Sequence, residues 1–158
     1  MHGNYVRKLT PGIRVVVLLG ATATGKTALS LELARRHNGE IINADSRYLY
    51  RGLDIGTAKP SRVERGDVLH HLIDVLDPAE SYSLARFLDD AYGLTEGIAR
   101  RGRLPMLVGG TPQYLKAYLE GWRTPGVEPN PELRARLEQE SIATLSAQLA
   151  AVDPHAVE

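Results

Sequence analysis

The chain has no cysteine, so no disulfide staples it; that suits a reducing compartment. Long apolar runs are missing as well. Near the N-terminus the longest is Val15–Leu19, too short for a signal-peptide core or a membrane span. The cytoplasm is therefore the expected compartment, and no membrane partner is expected. Excess charge of either sign is absent, with 19 Lys and Arg against 19 Asp and Glu. A strongly basic protein that coats nucleic acid non-specifically is excluded, and any polyanion surface has to be local. There is no internal repeat and no low-complexity tract. What remains is an ordinary globular composition, 43% hydrophobic and 24% charged over 158 residues, enough for one domain with a real core.

Against that plain background one stretch stands out. Gly20-Ala21-Thr22-Ala23-Thr24-Gly25-Lys26-Thr27 fits G-x-x-x-x-G-K-[ST], the phosphate-cradling P-loop. Arg14 to Leu19 is β-branched and apolar, which predicts a buried strand feeding the loop. Leu29, Leu31, Leu33 and Ala34 among good helix formers predict a helix leaving it, from Ala28 to His37. Gly20 and Gly25 let the main chain approach an anion closely. The loop N–H groups and the helix N-terminus then face phosphate oxygens. Lys26 adds a mobile positive charge, and the Thr27 hydroxyl is a Mg²⁺ ligand candidate. The pattern predicts binding of a phosphate or pyrophosphate group.

Around the loop, strand signals alternate with helix signals. Asn38-Gly39 reads as a helix C-cap, and Glu40 to Ala44 as a second strand. Asp45 to Pro60, punctuated by Gly52, Gly56 and Pro60, reads as a long and therefore functional connection. His70 to Leu76 is a third candidate strand. Ser83 N-caps a helix to about Arg101, with Leu84, Phe87, Leu88, Ala91 and Ile98 on one face and Gly102 closing it. Leu104 to Val108 is the fourth strand, followed by Gly109-Gly110 and a helix from Pro112 to Glu120. Gly121 to Asn130 is a linker, Asn130-Pro131 starts a charged helix to about Glu140, and a further helix covers Thr144 to Ala151. Asp153-Pro154 starts one more. The alternation predicts an α/β fold, a P-loop NTPase-like three-layer arrangement with a mostly parallel sheet. Ligands in such sheets sit beyond the carboxyl ends of the strands. The ends of the first, second and fourth strands, carrying the P-loop, Asp45-Ser46 and Gly109-Gly110-Thr111, should meet in one crevice.

Asp45 would face whatever the loop holds, as a hydrogen-bond acceptor or general base; capping of its own loop is the competing reading. Thr111 on pattern alone is better read as an N-cap. His70-His71 does not read as a metal site, because strand neighbours point to opposite faces and no third ligand is suitably spaced. From Arg47 to Arg65 there is a modest basic excess (Arg47, Arg51, Lys59, Arg62 and Arg65 against Asp54 and Glu64), either a solvated surface or a polyanion contact. Arg134, Arg136 and Glu138 read as a solvated helix face.

Taken together, these segments resemble one family, the tRNA dimethylallyltransferases, also called tRNA isopentenyltransferases. The loop GATATGKT is similar to theirs. So are Asn43-Ala44-Asp45-Ser46, the run from Tyr50 to Pro60 (YRGLDIGTAKP), and His70-His71-Leu72-Ile73-Asp74 with Asp77-Pro78. Val108-Gly109-Gly110-Thr111 with Tyr114-Leu115-Lys116, and Pro131 to Arg136, complete a set whose order and spacing hold from about Val15 to the end. Two positions depart from the pattern: Arg47-Tyr48 follow Asp45-Ser46, and Pro112-Gln113 follow Thr111.

The resemblance implies that Gly20 to Thr27 hold the pyrophosphate of dimethylallyl diphosphate, with Thr27 on Mg²⁺. The dimethylallyl group passes to N6 of the adenosine 3′ of the anticodon in tRNA. Asp45, Lys26 and Thr27 would be the catalytic residues, and Asp45, Ser46, Arg47, Tyr48, Thr111 and Arg134 the tRNA contacts. It further implies a P-loop core over 1–121, incomplete here, and a linker with the start of a helical tRNA-binding insertion over 122–158. The chain then reads as an N-terminal portion, monomeric, that binds tRNA weakly and transfers little by itself. The alternatives are a P-loop small-molecule kinase with ATP on the loop, an adenylate isopentenyltransferase, and an inactive truncated product that binds only pyrophosphate.

Overall fold

The computed structural model describes residues 7–21, 23–123 and 129–157. Thr22, the first six residues of the N-terminal lead-in, and Pro125 and Gly126 of the expected linker lie outside them. Four strands, β1 (Val16–Leu19), β2 (Gly39–Asn43), β3 (His70–His71) and β4 (Leu104–Gly109), alternate with helices. The helices are α1 (Lys26–Arg36), α2 (Arg62–Arg65), α3 (Leu84–Arg100), α4 (Pro112–Glu120), α5 (Pro131–Leu137) and α6 (Ile142–Val152), and a 3₁₀ turn covers Pro154–Val157. The chain divides into two compact units, Met1–Thr124 and Pro125–Glu158.

The sheet runs β1-β4-β2-β3, and every pair is parallel. β4 lies inside it, with Met106 opposite Val16 on one side and Ile41 on the other. Side-chain alternation explains the layers. Ile42 and Leu107 point to one face, into a core with Phe87, Leu88, Ala91 and Ile98 of α3 and Leu115 and Tyr118 of α4. Ile41 and Met106 point to the other face, against Leu31 and Ala34 of α1. Both faces are covered, so the buried strands read as continuous apolar runs, an α/β three-layer fold. Each fully buried Leu, Ile or Phe contributes roughly 1.5–3 kcal/mol relative to exposure. The Phe87 and Tyr114 rings stack with centroids 4.1 Å apart, locking α3 to α4.

Several boundaries differ from the sequence expectation for local reasons. The α1 turn does not use Gly39 as its cap. Asn38 takes the left-handed conformation at φ +51, and Gly39 enters β2, where a Cβ would sit 2.8 Å from Met106 Sδ. The expected strand from His70 to Leu76 stops at His71, because Leu72 and Asp74 have φ of +59 and +56; Leu76 returns only as an isolated parallel bridge to Tyr50. Ser61 and Glu64 build a capping box for the unanticipated α2. α5 ends at Leu137 rather than near Glu140, and Ser141 caps α6 by accepting from Thr144 N at 3.1 Å. Ser83 and Asn130 cap α3 and α5 as expected, accepting from Arg86 N and Leu133 N.

Candidate active site

The loop after β1 turns sharply into α1. Ala23 (φ +65) and Gly25 (φ +81) are both left-handed, the conformation from which anion-binding backbone turns are built. Lys26 and Thr27 open the first turn of α1, and no acidic residue in that turn offsets its positive end. Thr24 Oγ1 donates to the Ala21 carbonyl at 2.8 Å, and Lys26 Nζ donates to the same oxygen. Gly20 leaves room for the Lys26 stem: a Cβ there would lie 3.2 Å from Thr24 Oγ1 and 3.4 Å from Lys26 Cδ.

This loop forms one wall of a cavity of about 490 Å³. Ala23, Gly25, Lys26 and Thr27 face Asp45, Tyr48, Glu64 and Gly110 across it, with Leu31, Ala58 and Val108 as apolar lining. The three strand ends meet here. A Cβ on Gly110 would stand 3.3 Å from Asp45 Oδ2 and 3.6 Å from the Gly20 carbonyl. Gly110 thus stands beside both the Asp45 carboxylate and the end of β1.

Of the two readings open to Asp45, the structure shows the loop-capping one. Its Oδ1 accepts from Arg47 N at 3.0 Å, closing its own turn. Oδ2 accepts no hydrogen bond among the described residues and is the oxygen beside Gly110. Tyr48 stands next to it, and its hydroxyl donates to the Ala58 carbonyl at 2.9 Å. Burial, and then the Asp45 charge, push the Tyr48 hydroxyl above its ordinary range, so it stays protonated at neutral pH.

Thr111 does not cap α4 with its side chain. Its Oγ1 accepts from Ser46 N at 3.0 Å and lies 3.4 Å from Ser46 Oγ, tying the end of β4 to the turn after β2. A helix starting with Pro112 has one fewer N–H to cap, which releases the hydroxyl. Arg134 belongs to the other unit, where it lines a separate cavity of about 630 Å³ with Pro129, Leu133 and Leu145.

The lining residues that sequence reasoning missed are Glu64, Ala28, Leu31, Ala58 and Val108. Glu64 had a legible signal, since Ser61-Arg62-Val63-Glu64 matches the S-x-x-E capping box. Its Oε2 accepts from Ser61 N at 2.7 Å, and that bond, followed by the Ser61 hydroxyl, holds the Glu64 carboxyl below its ordinary range. Part of the basic window is engaged within the fold. The Lys59 side chain is 3% exposed, bound to Asp54 at 2.8 Å and Asp74 at 2.6 Å. Arg51 pairs with Asp77 at 2.7 Å. His71 Nε2 lies 2.6 Å from Glu40 Oε2, and Glu40, 1% exposed, also takes Arg101 at 2.7 Å.

The crevice offers hydroxyl and carboxylate oxygens, from Thr27, Asp45 and Glu64. Among the described residues no group of three or more His, Cys, Asp or Glu is placed to hold a metal alone. Such a set fits a hard divalent cation shared with a phosphate ligand, which needs only one or two protein oxygens. Among the described residues, no helix is long and apolar enough to cross a membrane.

Comparison with known proteins extends this geometry. Residues 48–158 match the family model described as IPP transferase, and residues 13–69 match the one described as isopentenyl transferase. The chain is 57% identical over 144 residues to the tRNA dimethylallyltransferase of Thermomicrobium roseum, covering 89% of this chain and 44% of that protein. It is 54% identical over 148 residues to that of a Roseiflexus species, covering 91% and 48%. The crystal structure of full-length tRNA isopentenylpyrophosphate transferase from Bacillus halodurans superposes with TM-score 0.70 at 43% identity, covering 92% of this chain and 49% of that one. A eukaryotic dimethylallyltransferase crystallised while acting on tRNA superposes with TM-score 0.80 at 33% identity, covering 90% and 36%. The chain thus spans about half the length of the curated relatives it matches.

Proposed function

This chain belongs to the IPP transferase family, and from that premise we propose that it carries the diphosphate-binding loop and the acceptor-orienting carboxylate of a tRNA dimethylallyltransferase. The donor is dimethylallyl diphosphate and the acceptor is N6 of the adenosine 3′ of the anticodon. The observation that carries the reading is the convergence of the strand ends: Lys26 and Thr27 of the P-loop, Asp45 and Gly110 line one crevice, and a Cβ on Gly110 would reach both Asp45 Oδ2 and the Gly20 carbonyl.

In the proposed reaction a C–N bond forms between the adenosine amine and the allylic carbon. The bond from that carbon to the bridging oxygen breaks, and pyrophosphate departs with the electron pair. The loop amides, the α1 N-terminus and Lys26 receive the charge that grows on the leaving group. Thr27 would hold Mg²⁺ jointly with the diphosphate, and the ion would supply further neutralisation of that charge. Asp45 Oδ2 accepts a hydrogen bond from the amine and takes its proton as nitrogen bonds to carbon. An exocyclic adenine amine is a weak nucleophile, so its orientation by Asp45 counts as much as basicity. Tyr48, neutral and anchored on Ala58, borders the acceptor side. The base reaches the crevice only out of its stack, which costs a few kcal/mol and favours a loop adenosine. Ser46, Arg47 and Thr111 border the same strand ends, and Arg134, in the unit proposed as the start of a helical insertion, would contact the tRNA. The P-loop core is proposed as 1–121 and that insertion, with its linker, as 122–158; a monomeric cytoplasmic protein is the corresponding proposal.

The reading is tested by thermal melting with and without dimethylallyl diphosphate and Mg²⁺, on the wild type and on Lys26→Ala. Ligand at roughly a hundred times its dissociation constant stabilises the wild type by about 2.7 kcal/mol, and Lys26→Ala loses most of that shift. Equal shifts in both proteins would remove the P-loop from the account. A labelled transfer assay on unmodified tRNA with adenosine 3′ of its anticodon tests the acceptor.

A further inference from the structure

Every polar atom of the Asn43 side chain is engaged, although nothing in the proposed chemistry uses the residue. Asn43 is the last residue of β2 and is 3% exposed. Its Oδ1 accepts from Asp45 N at 2.9 Å, and its Nδ2 donates to the Asp45 carbonyl at 2.9 Å. The second Nδ2 hydrogen goes to the Leu72 carbonyl at 2.8 Å, just past the end of β3, where the chain is left-handed. One buried amide thus clamps both backbone polar groups of Asp45 and ties them to the neighbouring strand. The Asp45 carbonyl also accepts from Tyr48 N at 3.2 Å. Asp45 Oδ1 is spent on Arg47 N, so with the backbone held only Oδ2 is left to face the crevice.

We propose that Asn43 is a positioning residue that fixes the Asp45 carboxylate against the P-loop, a role that rests on the proposed function of Asp45. The amide suits the place because it combines one acceptor with two donors. A carboxylate there would confront the Asp45 and Leu72 carbonyls with no donor. A hydrocarbon would leave Asp45 N and Leu72 O buried and unpaired. A serine hydroxyl can rebuild the turn-closing bond to Asp45 N over a shorter reach.

Amide hydrogen exchange by NMR on the whole chain tests this, with Asn43→Leu and Asn43→Ser beside the wild type. Loss of the clamp accelerates exchange at Asp45 and Arg47 by about tenfold in Asn43→Leu, and serine restores it to within about threefold. The amides of Met106 to Val108 in β4 keep their rates. Unchanged exchange at Asp45 and Arg47, or equal acceleration in β4, would overturn the proposal, since the second result marks general loosening. Should leucine prevent folding, Asn43→Ala, which likewise removes the acceptor and both donors, supplies the same comparison. Titration of each protein with dimethylallyl diphosphate separates the two ideas. Affinity within about twofold of wild type in every variant is expected, because the P-loop is untouched. A wild type that fails to bind would count against the proposed function and leave the exchange result standing.

Discussion

Gly109 and Gly110 are adjacent, yet adding one methyl group to each should have opposite consequences. A Cβ on Gly109 would lie 2.2 Å from both the carbonyl carbon and the oxygen of Ala44, and 2.7 Å from its Cα. That is more than 1 Å inside ordinary contact, and the obstacle is backbone. Ala44 cannot retreat: its N–H donates to Val108 O at 2.8 Å and its carbonyl accepts from Thr111 N at 3.2 Å. Relief requires β4 to part from β2 in the interior of the sheet. Overpacking of this kind costs about 3 kcal/mol, which for a chain of this size lowers Tm by roughly 6–12 °C. At Gly110 the Cβ meets only Asp45 Oδ2 at 3.3 Å and Gly20 O at 3.6 Å. A shift of a few tenths of an ångström accommodates it, so Gly110→Ala should stay within about 1 kcal/mol of wild type. That methyl group nevertheless stands beside both Asp45 Oδ2 and the Gly20 carbonyl. Thermal unfolding followed by circular dichroism, with diphosphate titration in parallel, reads both effects. The reasoning fails if Gly109→Ala melts within about 2 °C of wild type, or if Gly110→Ala falls as far as Gly109→Ala.

In a full-length context, Asp45→Asn should bind dimethylallyl diphosphate nearly as wild type while slowing transfer by about a hundredfold or more, measured as turnover on tRNA; normal turnover would sink the proton-acceptor role. Lys59→Met should destabilise the core unit by about 1–2 kcal/mol in a urea melt, because Asp74 and Asp54 lose their shared cation and the Tyr50 carbonyl loses a donor. Burial alone would lower the Lys59 pKa, but the bonds and charges of Asp54 and Asp74 together raise it. The group's contribution is therefore complete below the ordinary lysine range and is lost only as pH rises through the raised value. Glu40→Gln tests the opposite sign. Burial opposes ionisation of Glu40, yet the Arg101 and His71 bonds outweigh it and hold the carboxyl below its ordinary value. Its stabilising effect is thus present above the ordinary glutamate range and lost as pH falls through the lowered value. The variant should be about 2 kcal/mol less stable than wild type at pH 7, and the gap should close in acid denaturation as pH falls below the ordinary glutamate range. A gap that is unchanged at low pH would show that Glu40 is not ionised in the fold.

What the sequence by itself determined are the features governed by neighbouring residues. The P-loop spacing, the apolar runs of β1 and β4, the Ser83 and Asn130 caps and the 3.6-residue stripe of α3 are properties of short segments. Their physics is carried by residues a few positions apart. The α/β layering follows from their alternation, and the resemblance to one family follows from their order. Tertiary structure alone decided matters that depend on distant backbone. β3 stops at His71 because Leu72 and Asp74 turn left-handed while Leu76 bridges to Tyr50. Gly39 is glycine for Met106, across the sheet, and not for the helix end that it follows. The Thr111 hydroxyl turns to Ser46 instead of capping its own helix. Lys59 looks like one more surface cation until the fold wraps Asp54 and Asp74 around it. The Asp45 carboxylate illustrates the division: its residue type and its place after β2 are written locally. Which oxygen faces the loop depends on Asn43, Arg47 and Gly110, brought together only when β2, β3 and β4 lie side by side.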